Sequence, residues 1–167
     1  MIPIKANIKN SFNQWFSFAD GLLEKLSIHD VIETASGKKC LHIINRYTRF
    51  SKEKSPYKNN WSGGFSRATK ERRGGYYFHI EPGNTFVAGG FFGPNTEDLK
   101  RVRDEISRDS SELRVILKSK EFKTTFGSLQ GEQLKTTPKG LMPMTKRLIC
   151  FDSSNLYWLK NLRIKKF

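Results

Sequence analysis

Tyr77, His79 and Glu81 alternate in "GGYYFHIE", a spacing that sends all three side chains to one face of an extended segment. An imidazole beside a carboxylate can serve as a base and its orienter, or as two ligands of a metal. The plain alternative is a hydrogen-bonded pair on a sheet surface. Cys40 and His42 have the same spacing in "KKCLHII". Two ligands do not make a zinc site, and His29 and Cys150 add no supporting spacing, so no metal is expected.

A second kind of chemistry lies in "RYTRFSKEKSPYKNNWSGGFSRATKERRGG", where nine Lys or Arg between Arg46 and Arg73 face only Glu53 and Glu71. That segment supplies half of the chain's net +14. Tyr47, Phe50, Tyr57, Trp61 and Phe65 are threaded among the cations, a mixture that offers charge for phosphates and rings for stacking bases. Arg46, Arg49, Lys52, Lys54, Lys58 and Arg67 are the expected anion contacts, with Tyr57 and Trp61 as stacking platforms. Arg46, Arg49 and Arg67 could grip a carboxylate or phosphate bidentately. Against this stands a core reading, in which the rings are buried strand residues and the cations snorkel outward. A second basic block, Lys139 to Phe167, holds seven cations against Asp152.

The glycines of "GGYYFHIEPGNTFVAGG" fit neither the dinucleotide fingerprint nor a phosphate loop, so no nucleotide cofactor is implied. No nucleophile elbow is present. Two function classes follow. The first is a binding domain for nucleic acid or a phosphorylated small molecule. The second is an enzyme acting on a small phosphorylated or carboxylated substrate, with His79 and Glu81 handling protons.

The elements that must position these residues can be read from periodicity. Ile8, Phe12, Trp15, Ala19, Leu22, Leu23 and Leu26 recur at three and four, one stripe of an amphipathic helix ending near Ser27. Lys38 to Ile44 reads as a strand. "NWSGGFSRAT" reads as another, its Gly63-Gly64 marking a bulge or a close ligand approach. "GGYYFHIE", "EPGN" and "TFVAGGFF" form a hairpin about a Pro-Gly turn. Two short helices follow, one capped at Asn95 or Thr96 and one at Ser110 or Ser111. From Lys123 to Gly140 a polar loop is expected. This order gives an α+β domain with a largely antiparallel sheet around a central hairpin.

At 167 residues one domain can bury a core without disulfides. Two cysteines without framework spacing predict a reducing compartment, the cytoplasm. No apolar run reaches the length of a signal peptide or a membrane span, so no membrane association is expected.

"RFSKEKSPYKNN", followed by "GGYYFHIEPGNTFVAGGFFGPNTEDLKRVRDEI" and "FKTTFGSLQGEQLKTTPKG", resembles the bacterial and fungal family of conserved hypothetical proteins called domain of unknown function 2461, from about Ser11 to Gly140. The resemblance implies one α+β domain and brings no activity, substrate or cofactor. Members read Arg and Asp at the places of Ile43 and Tyr47, which takes one cation and one acid from any Arg-carboxylate site. Residues 1–140 are therefore expected to form the domain. Residues 141–167 are expected to be an atypical tail of an apparently truncated copy, for which an out-of-frame reading after a single-base deletion near Gly140 stands against ordinary divergence of a C-terminus.

Overall fold

The computed structural model describes residues 4–47, 49–50, 54–67, 74–130 and 155–162, with the backbone alone at 4–11 and 155–156. The chain divides into two compact units, Met1–Val87 with Asn161–Phe167, and Ala88–Lys160. β1 (Trp61–Ser66), β2 (Gly75–Ile80), β3 (Thr85–Phe92) and β4 (Asn155–Leu162) make one four-stranded sheet in that order. β3 runs from the first unit into the second. The class is α+β, as the order of elements predicts.

In the first unit, α1 (Ile4–Ser27) lays its apolar stripe, from Phe12 onward, against one face of β1 and β2. Ala19, Cys40, Phe65 and Phe78 are the buried centre, ringed by Leu22, Leu23, Leu26, Ile32, Leu41, Tyr76, Ile80 and Val87. Burying a ring such as Phe78 contributes about 1.5–3 kcal/mol. Phe18 meets Phe78 edge-on at 5.7 Å. The strand register is unbroken from Trp61↔Ile80 to Ser66↔Gly75, so the expected bulge at Gly63-Gly64 is absent. Gly63 answers to packing instead: a Cβ there would lie 2.7 Å from the Phe78 ring and 2.9 Å from Cys40 O. The hairpin turn forms as expected, with Asn84 N–H donating to Glu81 O at 3.0 Å and Gly83 at φ +81°.

The strand expected over Lys38 to Ile44 is not found. Gly37–Cys40 is one helical turn, α2, and only Leu41 bridges to Gly63. The cause is α1: Asp20 Oδ1 accepts the Gly37 N–H, and a Cβ at Gly37 would lie 2.5 Å from Asp20 N, so the backbones meet where only glycine fits. Cys40 consequently points into the core, and Cys40 and His42 do not share a strand face. After Leu41 the chain makes an excursion, pinned by Arg46 N–H to Pro56 O, Lys58 N–H to Ile44 O and the bridge Asn45↔Tyr57. It carries much of the basic segment.

Among its described residues the second unit holds three helices where two are expected. α3 (Thr96–Arg108) starts at Asn95, whose side chain accepts the Asp98 N–H at 2.8 Å. α4 (Ser111–Lys118) stops at Ser119, and Ser119 Oγ accepts the Phe122 N–H at 3.1 Å to start α5 (Lys120–Phe126). The loop expected from Lys123 thus begins only at Gly127, whose φ of +77° ends the helix. Within this unit Trp158 of β4 packs on Gly89 and on Phe126, the rings 4.3 Å apart. Tyr157 stacks on Phe92 at 5.1 Å. β4 lies inside the tail that the sequence reading set apart. Among the described residues no helix is long and apolar enough to cross a membrane.

Candidate functional site

Alternation along β2 divides its side chains. Tyr76, Phe78 and Ile80 face the core, and Tyr77, His79 and the following Glu81 occupy the outer face. Across the ladder Ser62 stands opposite His79, and Gly64 opposite Tyr77. Phe86 of β3 stacks on the His79 imidazole at 5.0 Å. The pair expected from sequence is therefore formed, at the bottom of a polar file.

His79 Nε2 lies 3.1 Å from Glu81 Oε2. An ionised carboxylate only accepts, so Nε2 carries a proton, and whenever the ring is neutral Nδ1 is the acceptor. Tyr77 Oη lies 3.4 Å from that Nδ1, placed to donate to it. The Glu81 carboxylate is held from its other sides by Asn59 Nδ2 at 2.6 Å and Asn84 Nδ2 at 3.1 Å. The bond from His79, then that from Asn84, and against desolvation that from Asn59, keep the Glu81 carboxyl below its usual range. The file Glu81, His79, Tyr77 has the order of a carboxylate, an orienting imidazole and a hydroxyl.

A second imidazole approaches from the excursion. His42 N–H donates to Ser62 O at 2.9 Å, and its Nδ1 lies 3.2 Å from Ser62 Oγ. Its ring centroid is 5.8 Å from that of Tyr77. Burial first, and then the charge of Lys58, hold His42 below the usual imidazole value, so the ring is neutral at pH 7. Lys58 itself donates from Nζ to Ile43 O at 2.8 Å.

The other expected residues separate. Arg46, Arg49, Lys54 and Lys58 lie on the excursion, where the Arg49 guanidinium sits 5.4 Å above the Phe50 ring. Tyr57 keeps an exposed ring there. Lys52 falls outside the described residues. Arg67 is turned away from the excursion to Asp30: Nη2 donates to Oδ1 at 3.2 Å, with Nε beside Oδ2. Trp61 does not stand as a stacking platform. It faces α1, stacked on Trp15 at 5.0 Å and edge-on to Phe12 at 5.1 Å, because its odd place in β1 puts it on the core side with Gly63 and Phe65.

Sequence reading paired His42 only with Cys40, and it missed Ser62, Asn59 and Asn84. The period-two spacing of Ser62 and Gly64 along β1 is the local signal for Ser62. Asn59 reaches Glu81 from a loop, which no spacing announces. Among the described residues no group of three or more His, Cys, Asp or Glu is placed to hold a metal ion. No curated protein and no solved structure matches the chain. A family model does match residues 5–167, past Gly140 where the sequence resemblance was read to stop, and the chain belongs to that family of conserved hypothetical proteins, DUF2461.

Proposed function

We propose that the outer face of β1 and β2 is a general acid–base site for a small phosphorylated or carboxylated substrate. The observation that carries this reading is the bond from His79 Nε2 to Glu81, which leaves Nδ1 to Tyr77 Oη. A substrate proton passes to Tyr77 Oη as the phenolic proton moves to His79 Nδ1, and Glu81 stabilises the imidazolium that results. The cations of the excursion supply charge for the substrate's anionic group. Cys40 takes no part: burial, and then the Asp20 charge, push its thiol to about 11, which makes it inert. A buried, free thiol suits a reducing compartment, and we place the protein in the cytoplasm.

The test is a turnover screen of phosphomonoesters and small hydroxy and keto acids, with His79→Ala assayed beside the wild type. Loss of turnover with substrate binding retained is expected. Wild-type turnover by His79→Ala overturns the assignment.

A second reading, a nucleic-acid interface on the excursion, is favoured by the exposure of Tyr47 (70%) and Phe50 (84%) beside Arg49. Rings this open among cations suit unstacked bases along a phosphate backbone. It requires only the excursion, so both readings can hold for one protein.

A further inference from the structure

Gly64 is a glycine that neither backbone nor packing requires. Its φ lies outside the positive range, and a Cβ there would meet only Tyr76 O at 3.7 Å and His42 Nε2 at 3.9 Å, ordinary contacts. Its neighbour Gly63 is the opposite case, closed off by Phe78 and Cys40. Glycine weakens a strand, and where packing does not call for it, it marks a place where something else comes close. What the missing side chain leaves open is the space bounded by His42 Nε2 and Tyr77, the cross-strand partner of Gly64.

The groups around that space are fixed and incompletely used. His42 is held by two contacts to Ser62, through its backbone N–H and through Nδ1. Nε2 has no hydrogen bond among the described residues. Lys58 directs one Nζ donor to Ile43 O, next to His42 in the chain. An ammonium has three donors, so two remain for an oxyanion.

We propose that His42 is the second proton-transfer group of this face, acting through Nε2 on a small oxyanion-bearing molecule seated over Gly64, between Nε2 and Tyr77 Oη, with Lys58 meeting its charge. The assignment rests on the acid–base reading above and completes it. One proton leaves the bound molecule to Tyr77 Oη, as the phenolic proton passes to His79 Nδ1. As His42 gives its Nε2 proton to another atom of the same molecule, Nδ1 takes the Ser62 Oγ proton and water returns one to Ser62, so the ring stays neutral. Exchange with water resets both rings. The reaction class is a relocation of a proton within an anionic substrate.

The experiment is NMR of the labelled histidine and tyrosine side chains during titration with inorganic phosphate. Saturable shifts of His42 and Tyr77 are expected in the wild type. Gly64→Val should weaken phosphate by about tenfold or more, while the His79 Nε2–H signal stays in place and reports an intact relay. Gly64→Ala, whose Cβ meets nothing nearer than 3.7 Å, keeps the fold and should weaken phosphate by a smaller factor. Equal affinity in wild type and both variants, or phosphate shifts that leave His42 unmoved, overturns the proposal. Turnover separates the two levels. Activity lost in His79→Ala and kept in His42→Gln removes the His42 assignment and leaves the acid–base site standing, whereas activity unaffected by either variant removes both.

Discussion

Glu81 Oε2 and His79 Nε2 lie 3.1 Å apart, and this one bond decides which imidazole nitrogen faces Tyr77. Glu81→Gln keeps the shape and removes the charge. A glutamine can present its amide to Nε2, which favours the wrong tautomer and turns Nδ1 into a donor. Turnover should fall by about 10²–10⁴-fold, with little change in substrate binding, and ¹⁵N shifts of His79 should report the lost Nε2–H form. The bond also has a pH signature. The Glu81 carboxyl is held below its usual value, so its contribution is complete above the unfolded value and disappears as pH falls through the folded one. An unaltered His79 tautomer in Glu81→Gln would detach Glu81 from the relay.

Asp30 gathers the end of β1 to β2. It accepts from Arg67 and from Tyr76 Oη at 2.8 Å, and its side chain is 9% exposed against 35% for Arg67. The Arg67 bond, opposed by burial and joined by Tyr76, keeps the Asp30 carboxyl below its usual value. Tyr76→Phe deletes one hydrogen bond to a charge and should cost about 1.5–3 kcal/mol in urea denaturation. The depressed carboxyl stabilises the fold above about pH 4 and loses that effect as pH falls further. Asp30→Asn should therefore flatten the acid limb of the stability curve, whatever it costs at neutral pH. A limb of unchanged steepness would show that other carboxylates set it.

The parts of the fold that rest on local chemistry were legible from the residues. The hairpin needs only period-two alternation and Pro82-Gly83, α1 only its apolar stripe, and α3 only an Asn95 cap. The misplaced elements depend on distant partners. α2 forms because Asp20, seventeen positions upstream, takes the Gly37 N–H, and β4 is placed by Trp158 against Gly89 and Phe126. The candidate site divides the same way. His79 and Glu81 share a strand face and could be paired by spacing, but His42 reaches that face through the Leu41↔Gly63 bridge. Composition counts charges and rings without saying which side of a strand they leave by, so it could not place Trp61 against α1 or Arg67 against Asp30.

Gly63 gives a stability test of the core that is independent of any ligand. A Cβ there would press on the Phe78 ring at 2.7 Å and on Cys40 O at 2.9 Å. The ring cannot retreat far among Ala19, Phe65 and Phe18. Gly63→Ala should therefore destabilise by about 1–3 kcal/mol, the usual cost of overpacking, despite the better strand propensity of alanine. Thermal unfolding of the two neighbouring Gly→Ala variants checks it: Gly64→Ala should unfold at or slightly above the wild-type temperature and Gly63→Ala well below. Equal midpoints would mean that Phe78 has room that its neighbours do not suggest.

The nucleic-acid reading stands or falls on the excursion. Arg49 lies over Phe50, and Tyr47 and Phe50 are 6.3 Å apart with both rings open to solvent. Bases stacking on such rings should contribute about 1–3 kcal/mol each, and each phosphate contact should add about 0.7 to the slope of log affinity against log salt for a single strand. Fluorescence anisotropy with labelled single-stranded and double-stranded oligonucleotides, beside heparin, measures both terms. Preference for single strands is expected, with Phe50→Ala weakening binding at every salt concentration and Arg49→Ala lowering the salt slope. Heparin bound as tightly as the oligonucleotides, with Phe50→Ala without effect, would reduce the segment to a polyanion-attracting surface. The outer face with His79 and Glu81 would then be the only functional assignment left, because its geometry owes nothing to Tyr47 or Phe50.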